Sequence, residues 1–313
     1  MWNIKVLDFD FFFIACSFFI YSFAGWIWET CFCSFKRKTF VNRGFLNGPI
    51  IPIYGIGGTL VYIMLFKYST NQVAVFFLGM LLATVLEYLT AVIMETIFHA
   101  KWWDYSDYKF NIQGRISLKS SLFWGGLSVV DINVLGPIVS SIIYSFPRQA
   151  AELICLILIC TSVADLSVTV VYTLQLSQSV HRLNMLREEL FTYLLNTKLI
   201  EKSSDLKDTL FTATISKLGQ KREGMINLLT TRFRASIATE AQPEEVERRV
   251  TKFREDVEKR FHQFATKYKL DSYRNNVVHK RLIKAFPNLK FKKGRFYLQE
   301  LKERFNSKNV KKG

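Results

Sequence analysis

Apolar positions fall in long unbroken runs through the first half of the chain and in spaced stripes through the second. A bilayer core of about 30 Å is crossed by about 20 apolar helical residues. Five runs suit that task, over residues 11–35, 48–66, 72–98, 120–145 and 150–177, with polar loops between them. They predict an all-α, polytopic helical membrane protein with about five transmembrane helices. The first run exceeds the ~7–15 residues of a signal-peptide core. Trp28 and Glu29 also stand where small cleavage-site residues belong, so this run reads as a retained helix.

Beyond residue 177 the pattern changes. Val180, Leu183, Leu186, Leu190 and Leu194 recur at spacings of three and four, which predicts an amphipathic continuation of the fifth helix. A second helical stretch is expected over 206–237. A third begins at Pro243, which suits a first helical turn, and Glu244, Glu245 and Glu247 favour the positive end of its dipole. Its stripe is Val246, Val250, Phe253, Val257, Phe261 and Phe264, and a helical hairpin or short coiled coil follows. The chain divides on this reading into a transmembrane domain, 1–177, and a basic helical tail, 178–313.

Charge sharpens the division. The chain of 313 residues carries a formal net charge of +16. Residues 1–177 hold 11 Lys and Arg against 10 Asp and Glu, whereas residues 178–313 hold 31 against 16. Lys36, Arg37, Lys38 and Arg43 fill the first loop, and Lys101, Lys109, Arg115 and Lys119 the third. With five crossings these loops share a side with the basic tail. Positive loops mark the cytoplasm, so the N-terminus is expected outside and the tail inside. The end of the tail mixes basic and aromatic residues, from His279, Lys280 and Arg281 through Phe286 to Lys290, Lys292, Lys293 and Arg295. Anionic lipid is the favoured partner there, and no RNA-binding motif supports nucleic acid. A merely solvated basic surface fits equally well.

Five carboxylates lie inside the apolar runs: Glu29, Glu87, Glu95, Asp131 and Asp165. Each is a functional candidate or a helix–helix hydrogen-bonding group. Glu87 and Glu95 are eight residues apart and share a helix face. Residues 44–58 contain two prolines and five glycines, so this segment cannot be a regular helix from its start. Irregular backbone at membrane depth survives where protein or a water-filled cavity covers it. The candidate polar site comprises Glu29, Arg43, Asn47, Glu95, Trp102, Trp103, Asp104 and Arg115. It reads either as internal salt bridges or as a pocket for an anionic group, since Arg presents a planar fork of donors. The five cysteines read as buried reduced thiols; Cys31 and Cys33 form a CxC that could bind a metal, but no histidine or further thiol lies near them in sequence, and the four histidines show no metal-ligand spacing. No metal or cofactor is expected. P-loop, HExxH, GxSxG and CxxC motifs do not occur.

Gly25-Trp26 with Glu29, then Asn42-Arg43-Gly44-Phe45-Leu46-Asn47-Gly48-Pro49 and Pro52-Ile53-Tyr54-Gly55, resemble the bacterial CmpB-like family. That family also goes by the names putative ABC-transporter type IV and putative ABC transporter permease. Glu95, Trp102-Trp103-Asp104-Tyr105 and Gly114-Arg115-Ile116 are similar to its later motifs, over roughly residues 20–145. The resemblance implies a bacterial plasma-membrane protein and assigns no catalytic or binding residue.

The leading expectation is a permease-like or transport-associated subunit with a polar site at the cytoplasmic face. ATP hydrolysis would then come from a separate ATPase subunit, and a homo-oligomer is compatible. One alternative is a membrane-embedded enzyme acting on lipid headgroups. The other is a membrane scaffold or sensor that recruits partners through the tail.

Overall fold

The computed structural model describes residues 2–196, 222–238, 242–273 and 277–291. The chain divides into two compact units. One is Met1–Gln175 with Val278–Lys290, and the other is Leu176–Val277 with Phe291–Gly313.

Among the described residues four helices, not five, are long and apolar enough to cross a membrane: Phe11–Arg37, Gln72–Phe98, Leu118–Ser145 and Arg148–Gln178. The helices are α1 (Phe11–Arg37), α2 (Pro52–Leu65), α3 (Gln72–Phe98), α4 (Leu118–Val130), α5 (Gly136–Ser145) and α6 (Arg148–Asn196). The run at 48–66 is the one that fails. Its helix has 14 residues, about 21 Å at 1.5 Å per residue, short of a bilayer core. It starts only at Pro52, which occupies the first helical position, where its missing N–H costs nothing.

Residues 38–51 lead into α2 without helix. They descend antiparallel to α1: the Val41 amide donates to Ser34 Oγ at 3.0 Å, and Trp26 Nε1 donates to Asn42 Oδ1 at 2.8 Å. The Ile51 amide then reaches the Ser22 carbonyl at 3.1 Å. From there α2 continues along the first half of α1 until Tyr62 and Phe66 meet Phe9.

Small residues let these helices approach. A Cβ on Gly55 would stand 2.6 Å from the Phe18 carbonyl oxygen, and one on Gly58 2.7 Å from Tyr21 Cγ. Close backbone approach is the usual means of association between helices in lipid. α3 shows the same logic in its faces. Val73, Phe77, Leu81, Val85, Leu89, Ile93 and Ile97 form an exposed row at every fourth position, while Gly79, Glu87 and Glu95 are buried. An apolar outside and a polar, small-residue inside suit a lipid surround.

α4 and α5 form one span interrupted by a π-helical turn, Asp131–Leu135. Pro137 cannot supply an amide to the helical ladder, and the Gly136 amide bonds to the Asp131 carbonyl. Helix ends are capped in sequence-legible ways. Asp10 and Asn71 accept the third amides of α1 and α3, and Ser117 with Ser120 forms a capping box on α4.

The ends of the bundle are marked by arginine contacts. Arg148 binds Asp10 at 3.0 Å, which places the starts of α1 and α6 together. At the other end α9 (Val277–Ala285) returns to the membrane unit, where Arg37 Nη1 donates to the Lys284 carbonyl at 2.5 Å.

In the second unit, α7 (Arg222–Ile237) and α8 (Pro243–Tyr273) pack through Ile237, Val246 and Val250. Phe233 stacks on Phe253 with centroids 4.3 Å apart, and Arg234 pairs with Glu247 at 2.8 Å. Val257 continues the buried stripe. Residues 206–221 of the expected second stretch, the side chains of Leu183, Leu186, Leu190, Leu194, Phe261 and Phe264, and the basic residues from Lys292 onward lie outside the described residues.

Candidate functional site

The end of the membrane unit that carries the basic loops holds a polar cavity of about 380 Å³. Glu29 and Arg43 form one wall, with Arg43 Nε 3.1 Å from Glu29 Oε2. Tyr54 donates its hydroxyl to Glu29 Oε1 at 3.0 Å. Across the cavity, Tyr105 donates to Glu87 Oε1 at 3.0 Å and Trp124 Nε1 to Glu87 Oε2 at 3.1 Å. Burial, reinforced by the neighbouring Glu87 carboxylate, pushes the Tyr105 phenol above its ordinary range, so it is a hydrogen-bond donor at neutral pH. Trp103 and Lys119 also line the space. Lys119 makes no ion pair among the described residues, and its ammonium lies 5.5 Å from the Tyr108 ring centroid.

Five of the eight residues expected at this site are employed beside it. Arg115 clasps Glu95 through two bonds, Nη2 to Oε2 at 2.9 Å and Nε to Oε1 at 3.3 Å. The same guanidinium also meets Tyr88 and Gln113. The hydrogen bond from Arg115 to Glu95, against a smaller opposing effect of burial, raises the Arg115 pKa. Trp102 is buried in an aromatic cluster with Phe45, Phe98 and Phe286. Asp104 accepts from Ser106 and pairs with Lys290 at 2.6 Å. Burial works to raise the Asp104 pKa, but the Lys290 and Ser106 hydrogen bonds prevail and hold it below the usual carboxylate range. Gly114, at φ +70°, faces Asp104 and Ser106 with no room for a side chain.

Asn47 belongs to a second polar assembly that fastens the non-helical segment 38–51. Its side-chain amide donates to Asp165 Oδ1 at 2.7 Å and to Thr169 Oγ1 at 3.0 Å. The backbone amides of Asn47 and Gly48 also reach the Asp165 carboxylate, at 3.1 and 2.7 Å. From α9, Arg281 donates to Asn47 Oδ1 and to the carbonyls of Gly44 and Phe45 at 3.0, 2.6 and 2.6 Å. Burial lowers the Arg281 pKa to about 10, with Asp165 opposing, so it stays charged at neutral pH. Arg43 is tied to the same helix end, donating to the Ala285 carbonyl at 2.7 Å and lying 4.6 Å from the Phe286 ring centroid.

A second cavity of about 430 Å³ adjoins the first and extends between α1, α2, α3 and α4. The two share Ile53, Tyr54, Glu87, Phe123 and Trp124. Its walls are apolar and aromatic, and its charged liners are Glu87 and Asp131. Tyr21 donates to Asp131 Oδ1 at 2.6 Å.

Tyr54, Tyr105, Lys119 and Trp124 were not expected at the polar site, and Glu87 was expected only as an intramembrane acid. The motif Trp102-Trp103-Asp104-Tyr105 contained one signal, an aromatic hydroxyl beside acids. Lys119 and Trp124 carry no local signal, because their roles depend on how α4 packs.

Buried carboxylates, an exposed apolar girdle and a polar cavity at one end define a multi-pass helical membrane protein. Residues 16–170 match the model of the family described as Putative ABC-transporter type IV, and this stretch of the chain belongs to that family. Comparison with curated proteins and with solved structures gives no match.

Proposed function

We propose that the chain is a permease-like, transport-associated membrane subunit whose outer cavity receives an anionic group of its solute. Lys119 carries this reading. Glu29 is bonded by Arg43 and Tyr54, and Glu87 by Tyr105 and Trp124. Lys119 brings a positive charge to the same cavity with no carboxylate beside it among the described residues. An anion entering there would meet the one cation of the cavity that makes no ion pair among the described residues, with Tyr108 and Trp103 as walls. Energy for movement would come from a separate ATPase subunit.

The orientation belongs to the same proposal. Arg37, Arg43, Lys284 and Lys290 gather at the cavity end, which supports placing that end in the cytoplasm and the start of α1 outside. Native mass spectrometry of the protein released from membranes in gentle detergent tests the site. An anionic solute should accompany the wild type and be lost from Lys119→Gln. Equal retention in the variant would sink the reading.

A further inference from the structure

We propose that the inner cavity binds a lipophilic cation, with Asp131 as its counter-charge. The five intramembrane acids differ in one respect. Glu29, Glu87, Glu95 and Asp165 each have both carboxylate oxygens hydrogen-bonded or ion-paired. Asp131 has one. Its Oδ1 accepts from Tyr21, while its buried Oδ2 has no partner, although the residue is 4% exposed. An unsatisfied carboxylate at that depth is costly, and a cation beside it removes the cost.

The surroundings fit such an occupant. No Lys or Arg lines the inner cavity among the described residues, so nothing there competes for Asp131. Tyr21, Trp28, Tyr54, Phe123 and Trp124 supply aromatic faces, which attract cations through their quadrupoles. A volume of about 430 Å³ lies in the range of small-molecule sites. Asp131 also opens the π-helical turn, a local widening of the helix that recurs at functional positions. Trp28 is 65% exposed, so the cavity opens sideways, and an apolar cation dissolved in the bilayer has a route in. The proposal does not rest on the transport reading, because binding here holds or fails whether or not the outer cavity passes a solute.

Tetraphenylphosphonium and tetraphenylborate have nearly the same shape and opposite charge, which makes them the probes. Binding of each to the full-length protein is measured by equilibrium dialysis in a neutral detergent, with empty micelles subtracted. The wild type should prefer the phosphonium. Asp131→Asn keeps an acceptor for Tyr21 and should weaken phosphonium binding roughly tenfold, with borate binding unchanged. Leu127→Trp fills the cavity while leaving Asp131 in place, and it should abolish phosphonium binding. If Asp131→Asn does not give monodisperse protein, Leu127→Trp decides. Preference for the borate, or wild-type phosphonium affinity in either variant, overturns the proposal.

Discussion

Glu95 is 4% exposed and depends on Arg115 for both of its oxygens. Removing the arginine strands a buried charge, which typically costs about 3 kcal/mol or more. Arg115→Ala should therefore lower the melting temperature in detergent strongly, and adding Glu95→Ala should recover part of the loss. Arg115→Lys should also be damaging, since an ammonium cannot reproduce the two-point fork. Asp104 gives a pH signature. Its folded pKa is depressed, so its stabilising contribution is present above the unfolded value of about 3.9 and fades as pH falls below it. The melting-temperature gap between wild type and Asp104→Asn should be open at pH 7 and narrow at pH 3. The effect is modest because Lys290 is half exposed. The sequence grouped Arg43 and Arg115 with Glu29, Glu95 and Asp104, but did not say which arginine meets which acid; the structure pairs Arg43 with Glu29 and Arg115 with Glu95. The role of Asn47 was not legible, because its carboxylate partner Asp165 lies 118 positions away.

Among the elements, α1, α3, the α4–α5 span and α6 were readable from hydropathy alone. α2 was not. Its apolar run is long enough, but hydropathy does not report where Ile, Pro and Gly are irregular rather than helical. The glycine and proline content of residues 44–58 did signal irregular backbone, and the non-helical segment 38–51 is its outcome. Two variants probe how this passage is held. Gly55→Ala drives a methyl into Ser22 and the Phe18 carbonyl, and should cost about 1–3 kcal/mol in thermal stability. Asp165→Ala leaves the amides of Asn47 and Gly48 without their acceptor, each such bond to a charge contributing about 1.5–3 kcal/mol. Trypsin should then cut after Arg43 faster than in the wild type, while cleavage elsewhere in the chain keeps its rate.

At the scale of the molecule, the membrane unit is closed by residues far along the chain. The expected division at 177 would leave all of 278–290 to the tail, yet Arg281, Lys284 and Lys290 bond to Gly44, Phe40 and Asp104. Arg281→Ala should lower the melting temperature of the membrane unit and expose Arg43–Gly44 to trypsin, as Asp165→Ala does. Equal effects from two sites on different elements would show that both act through the segment 38–51. That segment also bears on how the protein is made. The 14-residue α2 and the polar stretch before it lack the apolar length to partition into lipid unaided. Their anchors, Asp165 and Arg281, are synthesised more than a hundred residues later. During biogenesis the early helices would enter the bilayer with an unfinished neighbour, and full seating of this segment would wait until Arg281 has been synthesised.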